Sequence, residues 1–200
     1  DRLAGACESS DRAMPSLTDN DLSLRYRFAG SGRPAFVLVH GGCCAGSDWD
    51  AQLAALAAQF SVLVPDLRGH GRSGVDGELT VQQWAADVNA LVAALGIDRA
   101  IIVGHSLGAR IVAEAVAQEP ARYAGLVLLD GSRTVGGLSA SAPQPGSEAA
   151  QGVGGTLEQI LNRTIGPYAD DAVRAQVIAT MSAPSATVMQ ACVEALETWD

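Results

Sequence analysis

Apolar and polar residues alternate in "LSLRYRF", putting Leu22, Leu24, Tyr26 and Phe28 on one side, as in a half-buried strand. "GSGRP" (Gly30–Pro34) then turns the chain into "AFVLVH", a continuous apolar run that ends at His40. The two runs predict an antiparallel hairpin leading into a buried sheet. Downstream the pattern changes period several times. "AQLAALAAQF" predicts a short helix and "SVLVPD" a buried strand. "LTVQQWAADVNALVAALG" predicts a helix with Val81, Trp84, Val88, Leu91, Val92 and Leu95 on its apolar face. Thr80 and Gln83 have the spacing of a capping box, and Gly96 suits the helix end. "RAIIVGH" follows as a strand, "LGARIVAEAVAQEP" as a helix stopped by Pro120, and "GLVLLD" as another strand.

Strands alternating with helices imply an α/β fold with a mostly parallel sheet and right-handed crossovers. From Gly131 to Gly155 the pattern dissolves into Gly, Ser, Pro and Ala, and residues 156–199 read as helices broken at Pro167 and Pro184. The expected organisation is a loose segment over 1–20, a core over 21–130, and a hinge with a helical cap over 131–200. The hinge stretch reads equally as a mobile lid or as a plain connector.

Composition narrows the class. The 200 residues are 48% hydrophobic and 18% charged, which suits one globular domain. No run approaches the roughly 18 apolar residues needed to span a membrane. A net charge of −9 argues against a nucleic-acid partner, which calls for a clustered basic face. Cys7, Cys43, Cys44 and Cys192 are too few and scattered for a disulfide framework and lack the paired spacing of a zinc site. They favour a reduced, cytoplasmic setting.

The chemistry centres on "IIVGHSLGARIVAEAV", where Ser106 stands between Gly104 and Gly108. G-x-S-x-G alone is a weak signal in a chain with 22 Gly. Its context is stronger: it follows a predicted strand and opens a predicted helix, the placement that exposes a serine hydroxyl on a tight turn. The helix N-terminus also favours negative charge forming beside Ser106. Two further segments stand in register with it. "VLVHGG" ends a strand in His40-Gly41-Gly42, whose loop can aim a backbone N–H at a developing oxyanion. "PDLRGHGRS" (Pro65–Ser73) makes a Gly-rich turn after the next strand.

Strand-HGG, D-x-R-G-H-G-x-S and strand-G-H-S-L-G-helix, in this order, resemble the α/β-hydrolase superfamily, in particular its cofactor-free serine hydrolases with a helical cap. The resemblance covers residues 22 to about 130. It implies Ser106 as nucleophile, the backbone N–H groups of Gly42 and Leu107 as oxyanion-hole donors, and a small-molecule substrate with an ester, amide or similar carbonyl. No metal, nucleotide or flavin is implied.

The same resemblance exposes a gap. In this family the acid and then the histidine base follow the serine. The three histidines here, His40, His70 and His105, all precede Ser106 and each belongs to a motif of its own, which assigns them structural roles. There is no lysine to substitute. Asp130, closing "GLVLLD", sits where some members carry the acid, although a strand-closing aspartate is also an ordinary cap or turn residue. The expectation is therefore the nucleophile-bearing part of a longer protein, nearly inactive as these 200 residues alone and with an unpaired strand edge. The alternative is a non-catalytic hydrolase-like protein whose pocket binds a small molecule or a partner.

Smaller features carry plainer expectations. Cys43 and Cys44 follow the oxyanion loop and could face the pocket, but read more simply as small buried side chains. Trp49 and Trp84 are expected in the core or pocket wall. For Arg68 and Arg72 a local salt bridge, with Asp66 as partner, is favoured over an anionic substrate.

Overall fold

A computed structural model describes residues 16–19, 22–131, 165 and 169–199. Six strands form one sheet: β1 (Ser16–Asp19), β2 (Leu22–Ala29), β3 (Phe36–Val39), β4 (Val62–Pro65), β5 (Ala100–His105) and β6 (Tyr123–Leu129). Their spatial order is β1-β2-β4-β3-β5-β6. β4, β3, β5 and β6 run parallel to one another, while β1–β2 and β2–β4 pair antiparallel. The helices are α1 (Asp50–Ala57), α2 (Val81–Ala94), α3 (Leu107–Gln118), α4 (Asp171–Ser182) and α5 (Ala186–Thr198).

The expected hairpin between the first two apolar runs does not form. β2 and β3 are both paired with β4, which lies between them. The linker "GSGRP" does not close a tight turn but packs across the end of α1: Ser61 N–H donates to the Gly32 carbonyl at 2.8 Å, and Phe36 N–H to Ser61 at 2.8 Å. β3, apolar on both faces, lies between two parallel neighbours, as is common for such strands. The segment expected to be loose also runs into β1, where Leu17 packs against the core and pairs with Leu24.

Strand alternation divides the core into two layers. Val37, Val39, Leu63 and Ile102 point to one face and are covered by α2, α3 and α5. Leu38, Val62, Val64 and Val103 point to the other, where Trp49 and the α1 residues Leu53 and Leu56 cover them. Trp84, fully buried, donates its indole N–H to the Arg68 carbonyl at 3.1 Å. The predicted cap of α2 is half realised: Thr80 Oγ1 accepts from Gln83 N–H, but the Gln83 side chain donates to Asp87 Oδ1 at 3.0 Å. Gly96 ends the helix at φ +63°.

At the far margin, β6 presents Leu126, Val127, Leu128 and Leu129 at 38–52% exposure, and among the described residues β5 alone pairs with it. Pro184 separates α4 from α5 as expected, whereas Pro167 and most of the 131–155 stretch lie outside the described residues. Among the described residues no helix is long and apolar enough to cross a membrane.

Candidate active site

β5 ends at His105 and α3 begins at Leu107, so one residue makes the whole reversal. That residue, Ser106, adopts φ 54°, ψ −118°. A side chain rarely tolerates this backbone, and such strain persists only where the surroundings enforce it. Here they do: Ser106 N–H donates to the Leu129 carbonyl at 2.9 Å, and its own carbonyl accepts from Ala109 N–H at 3.0 Å. The two motif glycines are required by close approach. A Cβ on Gly104 would lie 2.2 Å from the Gly108 carbonyl oxygen, and one on Gly108 would lie 2.5 Å from that of His40.

The loop after β3 lies against this turn. A Cβ on Gly41 would stand 3.2 Å from Ser106 Cβ, and one on Gly42 would stand 3.2 Å from the Leu107 side chain. Gly41, Gly42, Ser106 and Leu107 therefore meet at the C-terminal end of the parallel strands, where open α/β sheets place their ligands. Asp130 follows β6 at φ +49°, exposed and one residue beyond the carbonyl that holds Ser106 N–H.

Two of the three histidines act as clamps for these loops. His40 donates from Nδ1 to the Gly41 carbonyl at 2.8 Å, and its Nε2 accepts from Leu67 N–H at 3.1 Å. His70 donates from Nδ1 to the Arg68 carbonyl at 3.0 Å, and its Nε2 accepts from Cys43 N–H at 3.2 Å. Both rings are neutral in this arrangement, because each Nε2 is an acceptor. Burial, first, and the neighbouring His70 hold His40 down to about 3; burial likewise pushes His70 down. His105 precedes the serine in a half-buried position. Among the described residues no imidazole hydrogen-bonds Ser106 Oγ.

The Gly-rich turn is held in place by its own side chains. Asp66 accepts from Gly46 N–H at 2.8 Å and from Arg72 N–H at 3.0 Å, so it ties the turn to the loop after β3. Arg68 does form a salt bridge, but with Asp87 of α2 and not with Asp66, through Nε at 2.9 Å and a terminal nitrogen at 2.6 Å. Asp66 faces backbone amides, and the extended Arg68 side chain reaches α2. Arg72 is exposed.

The C-terminal helices lie over the same end of the sheet. Val188, Cys192 and Ala195 of α5 are buried in the core. A Cβ on Gly69 would come within 2.8 Å of Val188, and one on Gly42 within 3.2 Å of Cys192 Cβ. Arg110, on the buried face of α3, donates to the α5 carbonyls of Ala195 and Leu196 and sits 5.8 Å over the Trp199 ring. α4 is attached by Gln176 Nε2 to the Ser47 carbonyl at 2.9 Å and by Thr180 Oγ1 to Asp48 Oδ1 at 3.2 Å. Sequence reasoning missed Arg110, although a charge inside the apolar stripe of α3 was a usable signal. It also missed the place of Cys192, whose contact with His70 spans 122 residues of sequence and left no local trace. Trp49 is in the core as expected, and Cys43 and Cys44 are half-buried. Among the described residues no group of three or more His, Cys, Asp or Glu side chains is arranged to hold a metal ion.

This architecture is that of the alpha/beta hydrolase fold family, whose model matches residues 34–175, and the chain belongs to that family. It is 41% identical over 120 residues to a non-heme haloperoxidase of Rhodococcus erythropolis, covering 58% of this chain and 43% of that one. Among solved structures it is similar to an esterase from a Rhodococcus species, with TM-score 0.75 and 28% identity over 88% of this chain and 70% of that one. An enol-lactonase from Burkholderia xenovorans superposes with TM-score 0.79 at 25% identity, over 93% and 74%. The chain spans 36% of the length of the uncharacterised mycobacterial proteins and 43% of that of the haloperoxidase.

Proposed function

We propose that Ser106 is the nucleophile of a hydrolase acting by acyl transfer on an ester, lactone, amide or related carbonyl. Ser106 Oγ attacks the carbonyl carbon, and the N–H groups of Gly42 and Leu107 receive the negative charge that forms on its oxygen. The alcohol or amine leaves, and water then releases the acyl group from Ser106. The observation that carries this reading is the backbone of Ser106, a non-glycine residue at φ 54°, ψ −118° between β5 and α3. Its proximity to the Gly41–Gly42 loop and the esterase and lactonase among the similar structures support it.

Among the described residues no imidazole hydrogen-bonds Ser106 Oγ to take the serine proton. His40 and His70 have both ring nitrogens engaged, and the chain contains no lysine. Loss of a triad base costs about 10⁶ in turnover in a well-studied case. The chain alone therefore hydrolyses activated esters at less than about a hundredth of an ordinary enzyme's rate. The test is labelling by a fluorophosphonate, with Ser106→Ala as control. Slow labelling that disappears in the variant is the expected result. Labelling that survives the substitution, or none at all, moves the conclusion to a non-catalytic pocket that binds small molecules.

A further inference from the structure

Cys43 and Cys192 meet where α5 crosses the oxyanion loop. Cys43 follows Gly42 at φ +59°, held there by its N–H bond to His70 Nε2 at 3.2 Å. Cys192 Sγ lies 3.5 Å from that same Nε2, and 3.4 Å from where a Gly42 Cβ would stand. One imidazole nitrogen and one glycine thus bring Cys43 and Cys192 together. Cys192 is 3% exposed, whereas Cys43 is half-buried and offers a route for a small reagent.

We propose that Cys43 and Cys192 form a thiol pair that closes to a disulfide by exchange with a low-molecular-weight disulfide, tying α5 to the oxyanion loop. The site stands independently of the role given to Ser106. The neighbouring Cys192 thiol lowers the Cys43 thiol, making it the attacking sulfur. Its thiolate attacks the reagent disulfide, forming a mixed disulfide and releasing one thiolate. Cys192 Sγ then attacks Cys43 Sγ, its proton passes to the departing thiolate, and a second thiol is released. The protein loses two hydrogens and the reagent gains them. Cys44 is a poor competitor: burial, with Asp48 beside it, pushes its thiol up to about 12.

The experiment treats the full 200-residue chain with oxidised glutathione and digests it with trypsin without reduction. Arginine is the only basic residue that trypsin can use, so Cys43 and Cys44 fall in Phe28–Arg68 and Cys192 in Ala175–Asp200. The expected product joins these two peptides through Cys43, and alkylatable thiols fall from four to two. The thermal midpoint rises with closure and returns on reduction. In Cys44→Ser the link still forms; in Cys192→Ser it does not. A stable glutathione adduct left on Cys43, a Cys43–Cys44 or Cys44–Cys192 linkage, or four thiols remaining would overturn the proposal.

Discussion

Replacing Ser106 by glycine is expected to make the protein more stable, although it removes the proposed nucleophile. A non-glycine residue held in a sparsely populated backbone region costs about 1–3 kcal/mol. Ser106, at φ 54° and ψ −118°, lies in territory that glycine enters freely. Against this relief stands the greater freedom glycine has in the unfolded chain, about 0.5–1 kcal/mol. Ser106→Ala keeps the Cβ and therefore the strain, and it gives up a hydroxyl without a hydrogen-bond partner among the described residues. The glycine variant should accordingly exceed the alanine variant by about 1 kcal/mol, or roughly 2–4 °C in melting temperature for a chain of this size. Urea and thermal unfolding of the three proteins measure the difference. Equal stability, or a less stable glycine variant, would refute the claim that the turn is strained and with it the main support for Ser106 as a nucleophile.

Acid should weaken the fold through its clamp histidines. The folded His40 lies near 3 and the folded His70 is also lowered, whereas the unfolded rings lie near 6.5. The unfolded state therefore binds more protons below about pH 6.5, and stability is full above that value and falls as pH drops. The slope is at most about 1.4 kcal/mol per pH unit for each ring. Urea midpoints between about pH 7.5 and 5 should fall accordingly, and a flat profile would contradict the neutral-ring assignment. Asp87→Ala leaves the Arg68 guanidinium, with its side chain 10% exposed, beside no carboxylate on α2 and should cost about 3–5 kcal/mol in urea unfolding. Arg68→Met combined with Asp87→Leu should recover part of that loss; a loss below about 1 kcal/mol in the single variant would mean the pair is not the anchor described.

The sequence by itself determined most of the elements and the close-packed strand–turn–helix of the elbow. Period-2 and period-3.6 patterns are short-range, and so are the glycines of "GHSLG", because they answer to backbones within the same strand–turn–helix unit. The apolar run at β3 and the Gly-rich turn were legible for the same reason. Only the tertiary structure decided which strands meet. β4, more than twenty residues after β3 begins, separates β2 from β3 and so gives β3 parallel neighbours on both edges. It likewise decided that Arg68 reaches Asp87, that two histidines spend both nitrogens on loop amides and carbonyls, and that Cys192 rests against Gly42. Each of these depends on side chains from distant segments being driven into one core. Hydrophobic burial selects that proximity without regard to sequence distance, so no local pattern records it.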